Sequence, residues 1–227
     1  MQTRTFSIRN PLATSVLCLG MLVIASTSAS AADLDAQAIE RGKTASQTCV
    51  ACHQANGSGL SVPGAEAWPR IAGMDRDYMI AQLKAVKEGT RQSATMTPFV
   101  NMLSEEQLAD VATYYASLPA PTITYPEVDE ALLKHGEKLA TKGDWDRYII
   151  ACASCHGVGS RGNGSVFPGL AGQHPAYISQ QIAAWKKGTR KNDPQNLMGA
   201  IAERLNERDI EAVSAWLARQ PASVAQQ

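Results

Sequence analysis

The alternation of apolar and polar positions along the chain is helical almost throughout. In 75–88, Met79, Ile80, Leu83 and Val86 fall on one side at the helical period. Gly89 follows, where a helix would end on a left-handed residue. Ser104-Glu105-Glu106-Gln107 has the form of a capping box, and Leu108, Val111, Ala112 and Tyr115 continue it as an apolar stripe. Asn206 can open a similar helix with Ile210, Val213, Ser214 and Leu217 inward. Segments 33–48 and 128–142 also read as helices. No alternating run predicts a strand, and 62–64 and the glycine-rich 157–164 read as loops. The start of the chain follows another pattern. Arg4 and Arg9 precede an apolar stretch over 12–24, and Ala29-Ser30-Ala31 is a small-x-small cleavage signal. This layout predicts a secretory signal peptide over 1–31. Its apolar run is short for a bilayer span, and no later segment is apolar enough for one.

The helical pattern occurs twice. Tyr78, Gln82 and Gly89-Thr90-Arg91 recur as Tyr177, Gln181 and Gly188-Thr189-Arg190 at an offset of 99. Further on, Leu103 matches Leu205 and Tyr114 matches Trp216 at an offset of 102. The fold expected is all-α, in two tandem domains over 32–121 and 127–227, joined by a proline-stiffened linker over 122–126. Each half has too small a helical core to supply much apolar burial by itself, so a buried cofactor would contribute a large share.

Charge excludes one class of function. The chain has 21 basic and 21 acidic residues, and loss of a leader carrying Arg4 and Arg9 leaves a formal charge of −2. Nucleic-acid binding, which needs a basic face, has no support.

The chemistry lies in the cysteines. Cys18 leaves with the leader, and the other four sit in Cys49-Val50-Ala51-Cys52-His53 and Cys152-Ala153-Ser154-Cys155-His156. CxxCH is the signature of c-type haem attachment. Two cysteines three apart on a helical turn can each form a thioether to one haem, and the next histidine then stands under the iron. Zinc would need a fourth ligand beside each Cys-Cys-His set. A redox CxxC would need the strand–helix alternation that is missing here. The expected cofactors are therefore two haem c groups, held by Cys49 and Cys52, and by Cys152 and Cys155, with His53 and His156 as axial ligands.

The repeat selects the opposite ligands. Met74, Met79 and Met102 align with Gln173, Ile178 and Arg204, and His174 aligns with Asp75, so none is repeated as a ligand. Met96 and Met198 occupy corresponding regions and are assigned as the distal axial ligands. His135 and His174 read as surface or structural histidines.

Both halves resemble class I cytochromes c, and the tandem arrangement resembles the dihaem cytochrome c4 family. The likeness rests on the CxxCH motifs, on Pro69-Arg70-Ile71-Ala72-Gly73 and Pro168-Gly169-Leu170-Ala171-Gly172, on the Gly-Thr-Arg segments, and on the two methionines. It implies two cytochrome c folds related by a pseudo-twofold axis, with their haem edges near the domain contact. It also implies that the carbonyls of Pro69 and Pro168 accept from the Nδ1–H of His53 and His156. Arg91 and Arg190 stand either near haem propionates or at solvent-exposed helix ends. The loop from His53 to Pro69 is four residues longer than that from His156 to Pro168, so the two haem edges need not be equally exposed.

The function implied is single-electron transfer in the bacterial periplasm by a protein that is not an enzyme. Its donor would be a quinol-oxidising complex or a dehydrogenase, and its acceptor a terminal oxidase. The alternative is a dihaem cytochrome subunit of a dehydrogenase complex that oxidises sulfide, thiosulfate or an alcohol.

Overall fold

Residues 31–222 are described in the computed structural model, with side chains from residue 36. The expected leader lies outside these residues but for Ala31. The first half comprises α1 (Ala31–Ala45), α2 (Val50–His53), α3 (Arg76–Lys87), α4 (Thr97–Asn101) and α5 (Glu105–Ser117). The second comprises α6 (Glu130–Thr141), α7 (Cys152–His156), α8 (Pro175–Lys186), α9 (Leu197–Arg204) and α10 (Glu207–Ala218). Among the described residues the only extended pairings are isolated bridges.

Local chemistry places these helices where the pattern puts them. The Ser104 hydroxyl accepts from the Gln107 N–H at 3.2 Å, and the Gln107 side-chain Oε1 accepts from the Ser104 N–H at 2.9 Å. Asn206 and Asp209 make the equivalent pair, both at 2.9 Å. Such reciprocal caps satisfy donors that the first helical turn leaves free. Asp75 caps α3 through the Tyr78 N–H, and Gly89 ends it at φ 77°. The stripe Leu108, Val111, Ala112 and Tyr115 is fully inward. The short helices α4 and α9 were not expected.

In each half the first and last helices cross at a glycine. A Cβ on Gly42 would lie 2.0 Å from the Asp110 carbonyl oxygen, and one on Gly136 would lie 2.1 Å from that of Ala212. No side chain fits either crossing, so the backbones of α1 and α5, and of α6 and α10, approach directly. Gly42 and Gly136 stand 94 apart, whereas Cys49 and Cys152 stand 103 apart. The second half thus carries an insertion just before its CxxCH motif. It forms a turn closed by reciprocal backbone bonds between Asp144 and Ile149, at 2.7 and 2.9 Å.

The halves meet across a pseudo-twofold axis that the hydrogen bonds trace. Arg91 and Arg190 form an antiparallel bridge with each other. Arg91 donates to the Tyr177 hydroxyl at 2.6 Å and to Gln181 at 3.0 Å. Reciprocally, Arg190 donates to the Tyr78 hydroxyl at 3.1 Å and to Gln82 at 2.9 Å. Tyrosine, glutamine and arginine, three of the residue types that recur at offset 99, are therefore ones that meet across the interface.

Candidate haem sites

Each CxxCH motif winds as a single helical turn, α2 or α7, and the turn stops at once after the histidine. Gln54 and Gly157, the next residues, have φ 63° and 79°. The chain then folds back so that the Pro69 carbonyl lies 2.9 Å from His53 Nδ1, and the Pro168 carbonyl 2.8 Å from His156 Nδ1. A carbonyl only accepts, so Nδ1 carries the proton and Nε2 presents its lone pair. Each imidazole is 5 % exposed. Burial lowers both pKa values below the ordinary histidine range, against the opposing effect of the proline carbonyls. The rings are thereby held neutral, as metal ligands must be.

The cysteines are unpaired and half-buried. Burial raises the thiol pKa of Cys49, and raises that of Cys152 to about 11. A redox CxxC works by a lowered thiol pKa, so these shifts run against that reading. Among the described residues no group of histidine, cysteine and acidic side chains is arranged to hold a bare metal ion.

In the second half these groups line a cavity of about 480 Å³. Cys152, Cys155, His156, Pro168 and Met198 all contribute to its wall, which is otherwise mostly aliphatic and includes Ile149, Leu170, Ile182, Ile201 and Leu217. Met74, Tyr78 and Gln82 of the first half also line it. Met198 lies in α9, with its N–H donating to Asp193 at 2.6 Å. Met96 immediately precedes α4, with its N–H donating to Ser93 Oγ at 3.2 Å, and packs half-buried against the cluster of Val86, Val100 and Leu108. Of the other described methionines, Met74 reaches this cavity from the first half. Met102 is 65 % exposed and Met79 is in the core.

The protein matrix fits a haem in two further respects. Trp68 Nε1 in the first half is buried without a hydrogen-bond partner. Phe167, its repeat counterpart, lines the second cavity edge-on to His156. An orphaned indole donor at that position matches a cofactor that brings carboxylates. Arg91 and Arg190 are not exposed helix-end residues, one of the two expectations for them. Both lie in the domain interface, and Arg190 lines the second cavity with its guanidinium 4.8 Å over the Trp185 ring. His135 and His174 are structural. His135 bonds Asp209 at 2.7 Å, and His174 joins the Ser58 carbonyl to the Tyr125 hydroxyl.

Sequence reasoning missed two features around the second site. One is the 144–149 turn, which brings Tyr148, Ile149 and Ile150 to the cavity. The other is Asp209, 1 % exposed, which accepts from Arg147 of that turn at 2.6 Å and from His135. The unequal offsets before and at the CxxCH motifs were the available signal for the turn.

Two CxxCH turns, each ending in a buried neutral histidine oriented by a proline carbonyl, define a dihaem electron-transfer cytochrome. The chain belongs to the cytochrome c family, whose model matches residues 39–119 and again 133–220, and it is of the tandem cytochrome c4 type. It is 42% identical over 176 residues to a thiosulfate dehydrogenase electron acceptor of Thiomonas intermedia, with 78% of this chain and 80% of that protein covered. The structure of reduced recombinant cytochrome c4 from Pseudomonas stutzeri is similar at a TM-score of 0.72 and 32% identity, covering 81% of this chain and 98% of that one. The thiosulfate dehydrogenase TsdBA from Marichromatium purpuratum is similar at a TM-score of 0.74 and 34% identity, covering 83% of this chain. This chain spans 42% of that longer one.

Proposed function

We propose that the protein carries single electrons between respiratory partners in the periplasm, using His53 and Met96 as axial ligands of one haem and His156 and Met198 as those of the other. The observation that carries the reading is the convergence of Cys152, Cys155, His156 and Met198 on one apolar cavity. Haem supplies the ferric–ferrous couple. The chain's residues set where that couple lies. A thioether ligand and an apolar surround both favour the ferrous state and raise the potential. The Pro69 and Pro168 carbonyls fix the imidazole planes, so the ligand geometry changes little between oxidation states. Histidine and methionine would fill both axial positions and leave substrate no open position at iron, which favours a carrier over an enzyme. The domains run 32–121 and 127–227 around the 122–126 linker, behind a cleaved leader over 1–31. Electrons leave towards a terminal oxidase.

A second reading concerns the donor. The Thiomonas intermedia relative, and one from Stutzerimonas stutzeri at 38% identity, are thiosulfate dehydrogenase electron acceptors. That favours a thiosulfate-oxidising dehydrogenase as the donor here. Among the described residues no helix is long and apolar enough to cross a membrane.

The test is a spectroelectrochemical titration of the holoprotein, following the ferric methionine-to-iron absorption band. Two one-electron steps at positive potential, with the band intact for both haems, are expected. A missing band, or one haem at strongly negative potential, overturns the ligand assignment and moves an enzymatic role to first place. Stopped-flow reduction by a thiosulfate dehydrogenase, compared with a quinol-oxidising complex, separates the two donors.

A further inference from the structure

The two segments that orient the proximal histidines are joined to each other by one residue pair. Arg70 follows Pro69, whose carbonyl holds His53. The Gln173 side chain reads the Arg70 backbone with both ends of its amide: its Oε1 accepts the Arg70 N–H at 2.8 Å, and its Nε2 donates to the Arg70 carbonyl at 2.8 Å. The Arg70 guanidinium in turn donates to the carbonyls of Ala171 at 3.1 Å and Gly172 at 3.3 Å. These carbonyls belong to the segment that begins at Pro168, whose carbonyl holds His156.

Two facts describe Arg70. It is 2 % exposed, and among the described residues its guanidinium bonds only main-chain carbonyls and no carboxylate, so its charge is buried and uncompensated by protein. It is also unrepeated. The corresponding residue of the second half is Gly169, and the counterpart of Gln173 is Met74. Arg190 is also buried without a carboxylate, but among the described residues Arg70 is the buried cation that bonds between the two histidine-bearing segments, and its partner Gln173 lines the second cavity.

We infer that Arg70, positioned by Gln173, is a shared electrostatic element that raises the potentials of both haems together. Oxidation adds a positive charge at iron. A fixed cation in a poorly polarisable interior opposes that charge far more than one in water does. Water screens such a guanidinium little, since it is 2 % exposed and each of its three nitrogens bonds a main-chain carbonyl. The inference rests on His53 and His156 as axial ligands.

The test is a redox titration of intact holoprotein carrying Arg70→Gln, with Arg70→Lys as the charge-conserving control. Arg70→Gln is expected to lower both one-electron steps, each by about 59 mV, the equivalent of a tenfold shift in a one-electron equilibrium. Arg70→Lys is expected to leave both near the parent values. If Arg70→Gln leaves both steps in place, or moves only the first, the inference is overturned. It is equally overturned if the two variants shift alike. Should Arg70→Gln fail to assemble with haem, Arg70→Met removes the same cation while keeping an unbranched aliphatic side chain. It must then lower both steps, and unchanged steps there refute the idea. Failure of the underlying ligand reading looks different, because the unsubstituted protein would itself lack the methionine-to-iron band.

Discussion

The two halves share a fold and a haem motif, but they elaborate opposite sides of it. The first half lengthens the loop after its CxxCH motif, and the second half inserts a turn before its own. The longer first loop is read by the second half. His174 bonds the Ser58 carbonyl at 2.9 Å, and the Gln180 amide bonds the Ala65 carbonyl and the Ala67 N–H at 3.1 and 3.0 Å. The inserted turn of the second half stays within its own domain. Arg147 pins it to Asp144 and to the buried Asp209, and Tyr148, Ile149 and Ile150 reach the cavity. Exposed Trp145 and Val166 belong to the same half. Extra chain thus serves the interface in one domain and the haem surround in the other. Duplication preserved the ligand-bearing frame and let its margins diverge.

The helix crossings should be equivalent despite that divergence, and substitution there gives the largest effect. Gly42→Ala and Gly136→Ala each force a Cβ onto a carbonyl, and each should destabilise its own half by about 3 kcal/mol. Domain-resolved thermal melts of the holoprotein check this, and unequal losses would break the symmetry of the frame. Met198→Ala should lower the potential of the second haem and open its iron to carbon monoxide, and Met96→Ala should do the same for the first. Carbon monoxide difference spectra read both, and a haem that stays closed to the gas refutes its assigned methionine.

A smaller effect separates the halves. Burial alone would raise the Asp209 pKa, but bonds from Arg147, the Asn206 N–H and His135 outweigh it and bring the carboxyl down to about 2. A folded-state pKa below the unfolded one contributes stability that is present above the unfolded value, near 4, and is lost as pH falls through about 2. Asp209→Asn should therefore cost about 2 kcal/mol at neutral pH, in the second half alone, and little below pH 2. Urea unfolding at several pH values measures it, and a pH-independent loss would rule out the carboxylate's charge as its source. Gln107, at the corresponding position, has no ionised side chain to lose. The smallest effect is that of Met102→Ala, at an exposed site: stability within about 0.5 kcal/mol and unchanged potentials, by melting and titration.

How much could be read beforehand follows from the range of the interactions. The capping box at Ser104 and the cap at Asn206 are written in a few consecutive residues and formed as read, and Asp209 completes a box at the second. The haem motifs and the helical stripe of α5 are equally local. The helices α4 and α9 escaped notice because they are too short to show a period, and Pro98 breaks the pattern in the first. The reach of Asp209 to Arg147 spans 62 residues, and that of Arg91 to Tyr177 spans 86, and no local pattern encodes either. The alignment of Tyr78, Gln82 and Arg91 with their counterparts marked them as significant. What they bind became visible only when the halves were set face to face.

The glycine crossing also bears on the order in which each half is assembled. Residues of α1 meet α5 across a chain separation of 69, as in the paired bonds from Arg41 to Asp110. Cys49 and Cys52 lie between them in the sequence. Contacts that distant form late in folding. A chain emerging from its amino end presents this motif before the closing helix has been delivered. The thiols are then open to reaction before α5 packs onto α1. Because α6 and α10 repeat the device, the same sequence of events can run a second time, after the first half is complete.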